Sequence, residues 1–307
     1  MKSRGELNTE KRNEVSTSID SMSIKDILQT INQEDSKIIG AVKTAIPKIE
    51  QTVNFTVNSI KNGGRVFYIG AGTSGRLGVL DASEIPPTFS APADYFIGVI
   101  AGGDNALRNS IEGAEDQIEN AINDLKSYSI NKLDTIIGIS CSGSASYVIS
   151  ALEYARELKA KTVYLITNPN PFKNTKVDVV IQANTGPEIV TGSTRMKAGT
   201  ATKLILNMIS TTTMIKLGKV YGNLMIDLKT VNKKLIDRGT RIISEITGLE
   251  YNRAKERLIA AENSVKSAIV MEKFKCNLEE AKIMLKNVDG FLHRLIKNKW
   301  KNSLSLI

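Results

Sequence analysis

The sequence predicts an α/β fold with a doubly wound, mostly parallel sheet, followed by a small all-helical C-terminal subdomain. Three observations favour this class. Apolar runs of strand length alternate with helical apolar spacing between residues 65 and 217. Two of these runs end in loops rich in glycine and serine, which is typical of the ligand-binding edge of an open α/β sheet. Residues 228–300, by contrast, contain only helical spacing of apolar side chains.

The N-terminal residues are predicted to form a polar arm followed by two helices. Residues 1–20 are polar. Apolar residues then recur at helical spacing within Ser23–Ser36, where Ser23 is a candidate N-cap. The helical pattern continues over Lys37–Lys61, with Pro47 as a break or a first-turn proline. The turn Asn62-Gly63-Gly64 is predicted to end it.

The central part of the chain is predicted to contain buried strands joined by helices. Each strand is a short apolar run, as expected for a parallel strand covered on both faces. Strands are predicted at Val66–Ile69, Tyr95–Ile100, Asp134–Ser140, Lys161–Thr167 and Val177–Gln182. Helices are predicted at Leu77–Leu80, Ala106–Lys126, Tyr147–Leu158 and Ala201–Leu217. We expect Pro86-Pro87 to stop the first of these helices and Thr185–Thr200 to be a loop.

The remaining residues are predicted to form a helical subdomain. Its helical patterns cover Thr240–Ile246, Tyr251–Ala261, Ser264–Phe274, Leu278–Leu285 and Gly290–Ile296. The chain is therefore predicted to comprise a helical arm over residues 1–54, an α/β domain over 55–218 and the helical subdomain over 219–307.

Composition argues against several classes of protein. The chain has 307 residues, of which 41% are hydrophobic and 24% charged, which is ordinary for a globular enzyme. No apolar run approaches the ~20 residues of a membrane helix, and the N-terminus has no signal-peptide pattern, so we expect a cytoplasmic protein without a membrane partner. Cys141 and Cys276 suggest no disulfide framework, and a single histidine, His293, argues against a histidine triad or a metal site. The net charge of +9 comes without a basic stripe interleaved with aromatics, so no nucleic-acid partner is predicted.

The first glycine-rich loop is predicted to bind phosphate. Residues 70–75 contain three glycines and the hydroxyls of Thr73 and Ser74, between a strand and a helix. Glycine lets backbone N–H groups approach an anion, and a helix N-terminus adds about half a positive charge. The same residues also match the G-x-G-x-x-G dinucleotide fingerprint. We favour a monophosphate, because Asp94 precedes the next strand instead of ending it, where a ribose-binding acid is needed.

A second loop resembles the first and follows another predicted strand. Residues 140–146 place four serines within seven positions. One serine is expected to cap the helix that starts at Tyr147, and the others are candidates for ligand contact. Because the carboxyl ends of parallel strands meet at one edge of a sheet, the two loops are expected to converge on one phosphosugar.

Acidic side chains near this edge are candidates for proton transfer. Glu84 follows the first loop, and Glu112, Glu115 and Glu119 lie on the predicted helix Ala106–Lys126. Spacings of three and four residues would place the latter three on one helical face. A solvated acidic face is the simpler interpretation, but the small residues Gly113-Ala114 would permit close approach of a ligand.

Four segments of the sequence resemble a known family, that of N-acetylmuramic acid 6-phosphate etherases. The first is Tyr-Ile-Gly-Ala-Gly-Thr-Ser-Gly-Arg-Leu-Gly-Val-Leu-Asp-Ala-Ser-Glu-Ile-Pro-Pro-Thr-Phe at 68–89. The others are Ile-Ala-Gly-Gly at 100–103, Glu-Gly-Ala-Glu-Asp at 112–116 and Thr-Gly-Ser-Thr-Arg-Met-Lys-Ala-Gly-Thr-Ala-Thr-Lys at 191–203. The resemblance covers nearly the whole chain and implies the flavodoxin-like sugar-isomerase (SIS) fold, with the phosphosugar-binding domain over residues 55–218.

The resemblance implies a reaction and a set of site residues. The reaction is cleavage of the lactyl ether of N-acetylmuramic acid 6-phosphate to N-acetylglucosamine 6-phosphate and D-lactate, in cell-wall amino sugar catabolism and recycling, without a cofactor and in a homodimer. By match of motif, Glu84 corresponds to the proton donor and Glu115 to the second catalytic residue, the C2 base, with Glu112 as its rival. The residues expected to bind substrate are Gly72, Thr73, Ser74, Gly75, Ser140, Ser142, Ser144 and Lys197.

One segment departs from the pattern of the family. Relatives often have Ser-Gly-Arg-Thr in the second loop, whereas this chain has Ser142-Gly143-Ser144-Ala145. The loss of a charged contact puts the strength of substrate binding in question. Lys197 or Arg195 could supply positive charge instead, or could have a structural role.

Two other functions remain open at this stage. One is a non-catalytic phosphosugar-sensing regulator, which would share the binding loops. The other is a phosphosugar isomerase, which would also act on a C2 proton. Release of D-lactate would distinguish the etherase from both.

Overall fold

The fold contains a parallel five-stranded sheet. The structure is a computed structural model that describes residues 4–228 and 232–296. The strands are β1 (Val66–Gly70), β2 (Phe96–Ile100), β3 (Thr135–Ile139), β4 (Lys161–Ile166) and β5 (Val179–Gln182). Their order in the sheet is β2-β1-β3-β4-β5, and every neighbouring pair is parallel. This order is the flavodoxin-like one, so the predicted fold class is confirmed.

Helices connect the strands, and in the described part of the chain no further strand follows β5. In and around the sheet they are α1 (Ile24–Asp35), α2 (Lys37–Lys61), α3 (Gly72–Phe89), α4 (Asn105–Arg108), α5 (Ile118–Ser127), α6 (Ser146–Glu157) and α7 (Lys197–Lys216). Towards the C-terminus they are α8 (Lys233–Thr247), α9 (Tyr251–Ala260), α10 (Val265–Phe274) and α11 (Leu278–Lys286). Residues 292–296 are also helical. Across the described parts of the chain, no helix is both long and apolar enough to span a membrane.

The central strands form because each is a run of apolar residues buried on both faces. All five residues of β1 and all five of β3 are buried. The register pairs Gly70, the last residue of β1, with Ile100 on one side and Ile139 on the other. The carboxyl ends of β1, β2 and β3 therefore lie level with one another, and the loops that follow them leave from one edge of the sheet.

The prolines of the first two long helices do not act as predicted. Pro47 lies inside α2, which continues to Lys61, and Pro86 and Pro87 lie inside α3, which ends at Phe89. Pro47 is exposed, so water can satisfy the carbonyl that its missing N–H leaves free. The Pro86-Pro87 pair lies in the last turn, and the helix stops three residues later, before Ser90 with its positive φ of 49°. The prolines therefore shorten α3 without ending it where they stand.

The predicted helix over 106–126 is also wrong. The structure has the short helix α4, a loop, a 3-10 turn at Ala114–Asp116 and then α5. Gly113 takes a left-handed conformation with φ of 73°, which interrupts any α-helix passing through it. Glu112 and Glu115 consequently do not share a helical face.

The N-terminal segment packs along the chain that follows β5. The Asn8 side chain donates to Asn184 Oδ1 at 3.1 Å, and the Ser16 hydroxyl donates to the Ile189 carbonyl at 2.8 Å. The polar arm is therefore anchored to the α/β part of the molecule by hydrogen bonds.

The chain forms two compact units. The first comprises the described residues up to Ser83 together with Ala93–Thr211 and includes the whole sheet. The second comprises Glu84–Pro92 and the described residues from Thr212 onwards. The second unit has an apolar core of its own, built from α8 to α11 with buried side chains such as Ile243, Leu258 and Ile269.

Candidate active site

A pocket of about 270 Å³ opens at the carboxyl ends of β1 and β3. In a sheet of this order, these two neighbouring strands form the point where the chain reverses its direction of winding, and ligands bind there. The pocket is lined by the first turns of α3, by the segment between β2 and α5, and by the loop that joins β3 to α6. Both predicted loops therefore lie in one pocket, which belongs entirely to the first unit.

The first loop presents a helix N-terminus to the pocket. Gly72 begins α3 with a left-handed φ of 53°, and Gly72, Thr73 and Ser74 all line the pocket. The first N–H groups of an α-helix have no partner within the helix and are available to an anion. Ser74 is buried, and its hydroxyl lies 3.6 Å from the Cys141 thiol. Burial raises the pKa of that thiol, so it stays neutral beside a bound anion.

Gly75 has a packing role at the base of this loop. A Cβ atom added at Gly75 would lie 2.6 Å from the Gly70 carbonyl oxygen and 2.6 Å from the Ile100 side chain. A Cβ at Gly70 would meet the Gly75 nitrogen at 2.6 Å. The two glycines thus allow α3 to start directly against the end of β1. Gly75 itself is not among the residues that line the pocket.

The second loop contributes Ser140 and Ser142 to the pocket wall. The Ser142 and Ser144 hydroxyls are 2.7 Å apart, which fixes Ser142, whereas Ser144 is not part of the lining. No serine side chain caps α6, whose N-cap is Ala145, so the predicted serine cap is wrong. The Ser140 hydroxyl instead accepts from the Ala145 N–H at 3.4 Å.

Two carboxylates line the opposite side of the pocket, Glu112 and Glu115. The Ser110 hydroxyl donates to Glu112 Oε1 at 2.8 Å. Among the described residues, no hydrogen bond or ion pair engages the Glu115 carboxylate, which is exposed. Ala114, the first residue of the 3-10 turn, packs against the apolar core and holds the turn in place. Of the two carboxylates, only Glu112 is therefore held by a side-chain hydrogen bond within the described residues.

Lys197 does not line the pocket. It begins α7 with 1% of its surface exposed, and its ammonium lies 2.7 Å from Glu34 Oε2. Asn13 and Lys37 also donate to Glu34. Burial alone would raise the pKa of Glu34, but these three donors outweigh it and lower the pKa to about 2. Glu188, also buried, accepts from the first two N–H groups of α7 at 3.0 and 2.9 Å.

Glu84 also lies outside the pocket lining. It is exposed on α3 and is the first residue of the second unit, whereas the pocket belongs to the first. Arg195 is exposed and likewise absent from the lining.

Sequence reasoning assigned no role to three residues of the pocket wall, Arg76, Thr194 and Cys141. Arg76 directly follows Gly75 in the first loop motif, and a basic residue one turn into a phosphate-binding helix could have indicated it. Thr194 lies within the fourth motif, at 191–203. Cys141 adjoins Ser140, but a lone cysteine carries no recognisable pattern.

Several known proteins are similar to this chain over most of its length. The chain is 50% identical to an N-acetylmuramic acid 6-phosphate etherase of Oceanobacillus iheyensis over 94% of this chain and 98% of that one. It is 55% identical to one of Bacteroides thetaiotaomicron over 82% and 90% of the two chains. A third, from Caldanaerobacter subterraneus, is 48% identical over 96% of each.

The chain belongs to the N-acetylmuramic acid 6-phosphate etherase family. The resemblance seen in the sequence motifs is therefore confirmed, and the protein is an enzyme. In addition, residues 48–156 match the family described as the glucokinase regulatory protein N-terminal SIS domain. That stretch contains β1 to β3 and both loops of the pocket. The roles of individual residues stay predictions.

Proposed function

We propose that this protein cleaves the lactyl ether of N-acetylmuramic acid 6-phosphate, giving N-acetylglucosamine 6-phosphate and D-lactate in cell-wall amino sugar catabolism and recycling. The observation that carries the proposal is the pocket between the β1 and β3 loops. It combines a helix N-terminus suited to phosphate with the Glu115 carboxylate, which has no hydrogen-bond or ion-pair partner among the residues that the structure describes. Phosphate binding in this pocket would use the N–H groups and hydroxyls of Gly72, Thr73 and Ser74, with Ser140 and Ser142 opposite.

The reaction requires an acid and a base but no transfer of electrons to a cofactor. Opening of the sugar ring exposes the C1 aldehyde, which acidifies the proton on C2. The Glu115 carboxylate removes that proton, the C2–H electrons form a C2=C3 double bond, and the C3–O bond breaks. The lactate oxygen takes a proton from Glu84. Water then adds, with its oxygen bonding to C3 and a proton returning to C2, which yields the product sugar.

The position of Glu84 supports a homodimer in which each pocket is completed by a second copy. Glu84 is exposed about three turns beyond the phosphate end of α3, and Leu80, one turn earlier on the same face, is 52% exposed. Because Glu84 is absent from the pocket lining of its own chain, a second copy is the proposed route by which this carboxylate reaches a pocket. Glu84 of one copy is therefore proposed to act in the pocket of the other.

The first test is a coupled D-lactate assay with purified protein, N-acetylmuramic acid 6-phosphate and a chelator. Lactate release in stoichiometric amounts with N-acetylglucosamine 6-phosphate supports the etherase reaction and its independence from a dissociable metal. The match to a regulatory SIS domain makes a phosphosugar sensor the second candidate. Thermal stabilisation by the substrate without any lactate would favour that sensor, and conversion to a ketose phosphate would favour an isomerase.

A complementation experiment tests the shared site. Glu84→Gln and Glu115→Gln homodimers are each expected to lose turnover. When the two variants are unfolded together in equal amounts and refolded, half of the dimers are mixed, and each mixed dimer has one intact pocket. Activity should then return to about a quarter of the wild-type value if the two carboxylates come from different subunits of a symmetric dimer. If both act within one chain, mixing restores nothing.

The proposal includes a location. A phosphosugar dianion pays a high cost to cross the core of a bilayer, so a phosphorylated substrate stays in the compartment where it is made. We therefore expect the enzyme in the cytoplasm. Cell fractionation that finds it with secreted proteins would contradict this part of the proposal.

A further inference from the structure

Arg76 is the only cationic side chain in the described lining of the pocket. A ligand with two anionic groups would therefore need Arg76 to bind one of them. Charged side chains in the lining are Glu112, Glu115 and Arg76. Lys197, the cation expected from the sequence, is paired with Glu34 instead. The substrate proposed above carries a phosphate at one end and a lactyl carboxylate on C3. The phosphate has the N-terminal turn of α3 and several hydroxyls, whereas the carboxylate has no such partner.

The Arg76 guanidinium is held in a fixed orientation by main-chain carbonyls. Its Nε donates to the Leu107 carbonyl at 3.2 Å, and its Nη2 donates to the Asn109 carbonyl at 2.9 Å. These two bonds occupy one edge of the planar group. Among the described residues no protein group accepts from Nη1. The other edge of the guanidinium, formed by Nη1 and the second proton of Nη2, can still donate two hydrogen bonds. The spacing of these two donors matches the two oxygens of a carboxylate.

The position of Arg76 suits a second anion site next to the first. It lies four residues after Gly72, on the same face of α3 and about 6 Å further along the axis. The carbonyls that hold it belong to the segment that leads to Ser110, Glu112 and Glu115. Arg76 lines the same pocket as the phosphate-binding turn and Glu115, so a carboxylate bound at Arg76 would share that pocket with the phosphate and the proposed base.

We propose that Arg76 binds the lactyl carboxylate of the substrate and so distinguishes substrate from sugar product, which keeps the phosphate but has lost the carboxylate. This inference rests on the proposed function. In this arrangement the two loops bind the phosphate, Arg76 binds the lactyl carboxylate and Glu115 accepts the C2 proton.

The test compares the binding of two ligands by calorimetry. Dissociation constants for N-acetylmuramic acid 6-phosphate and N-acetylglucosamine 6-phosphate are measured in a Glu115→Gln background, to prevent turnover, with and without Arg76→Met. Loss of a charge-assisted, bidentate contact should weaken binding of the lactyl sugar roughly 10- to 100-fold. Binding of the product sugar should change by less than about twofold, because its phosphate contacts remain. Arg195→Met, which removes an exposed arginine outside the pocket, is the matched control and should alter neither constant.

Two results would overturn the proposal. If Arg76→Met weakened the binding of both ligands equally, Arg76 would contact the phosphate or maintain the shape of the pocket. If neither dissociation constant changed, Arg76 would not contact the ligand. Arg76→Lys serves if the methionine variant does not fold, since it keeps the charge but loses the planar fork and should still weaken only the lactyl sugar. The etherase proposal fails separately, by the absence of lactate from the wild-type enzyme, whereas the Arg76 proposal is decided by the two dissociation constants.

Discussion

Replacement of Lys197 by methionine would decide whether this lysine supports the fold or the substrate. The side chains of Lys197 and Glu34 are 2% and 3% exposed, and 2.7 Å separates their charged atoms. Removal of one partner from a buried pair leaves an uncompensated charge and typically costs about 3–5 kcal/mol. Asn13 and Lys37 would still bond to Glu34, which reduces the loss. We therefore expect Lys197→Met to lower the free energy of unfolding by about 2–3 kcal/mol at pH 7.

The pKa of Glu34 gives an independent estimate of the same magnitude. Its partners lower the pKa from 4.5 to about 2, which corresponds to stabilisation on the order of 3 kcal/mol at neutral pH from all of them together. A lowered carboxyl pKa stabilises the fold above the unfolded-state value, and this contribution is lost as the pH falls from 4.5 towards 2. The difference in free energy of unfolding between the wild type and Lys197→Met should therefore decrease as the pH falls over the same range.

Urea denaturation at pH 7 and at lower pH measures both effects, with two controls. Lys37→Met removes a 60% exposed partner of the same carboxylate and should cost less than about 1 kcal/mol. Lys197→Met combined with Glu34→Leu leaves no buried charge and should recover most of the lost stability. A loss below about 0.5 kcal/mol for Lys197→Met, together with a tenfold rise in KM, would refute the structural role and support substrate contact.

Further predictions concern the loop, the pocket and a buried acid. Gly75→Ala should lower the free energy of unfolding by about 2 kcal/mol or more in urea titration, because its Cβ would lie 2.6 Å from the Gly70 carbonyl oxygen; an unchanged midpoint would contradict the close packing. Ser74→Ala should raise KM roughly 10- to 100-fold while thermal stability stays near the wild-type value, because it removes a hydroxyl donor to a charged phosphate; steady-state kinetics and a melting curve measure this. Burial raises the pKa of Asp81 above 3.8, so ionisation of this carboxyl opposes folding as the pH rises from that value, and the free energy of unfolding of Asp81→Asn should increase relative to the wild type over the same rise. If the difference in free energy of unfolding between Asp81→Asn and the wild type instead decreased as the pH rose, the Asp81 carboxylate would be better stabilised than its burial implies.

The sheet could be predicted from the sequence because its determinants are local. Each strand has four to six residues, most of them apolar, between polar or glycine-rich turns, and each observed strand lies within a residue or two of its predicted bounds. Helical periodicity is a less reliable guide where one residue with a non-helical backbone conformation interrupts the segment. Gly113, in its left-handed conformation, breaks the acidic segment that was predicted to be one helix. Apolar spacing alone does not reveal such a break.

The pocket could be predicted only in part, because side-chain partners distant in sequence decide which polar groups are available. Lys197 and Arg76 are both basic residues in the motifs that carry the family resemblance. Lys197 is paired with a residue 163 positions away, whereas Arg76 contacts carbonyls 31 and 33 positions away and keeps one edge free. A pattern of residue types cannot separate these two cases, since both are basic positions beside glycine or small residues. Only the three-dimensional positions of the acceptors do so.

The length of the first motif has a physical explanation in helix α3. Its N-terminal turn presents N–H groups and the hydroxyls of Thr73 and Ser74 to the pocket, and Arg76 lies one turn further on. Glu84 lies two turns beyond Arg76 and is exposed beside Leu80. In the proposed mechanism, one helix supplies the phosphate site and the carboxylate site of its own pocket and the acid of its partner's pocket. Because a helix fixes the rise and rotation between residues, insertion of a single residue between Ser74 and Glu84 would turn Glu84 about 100° around the axis and abolish the acid function. Phosphate binding would survive such an insertion, so a variant with one alanine inserted after Leu80 should still bind N-acetylglucosamine 6-phosphate but release no lactate.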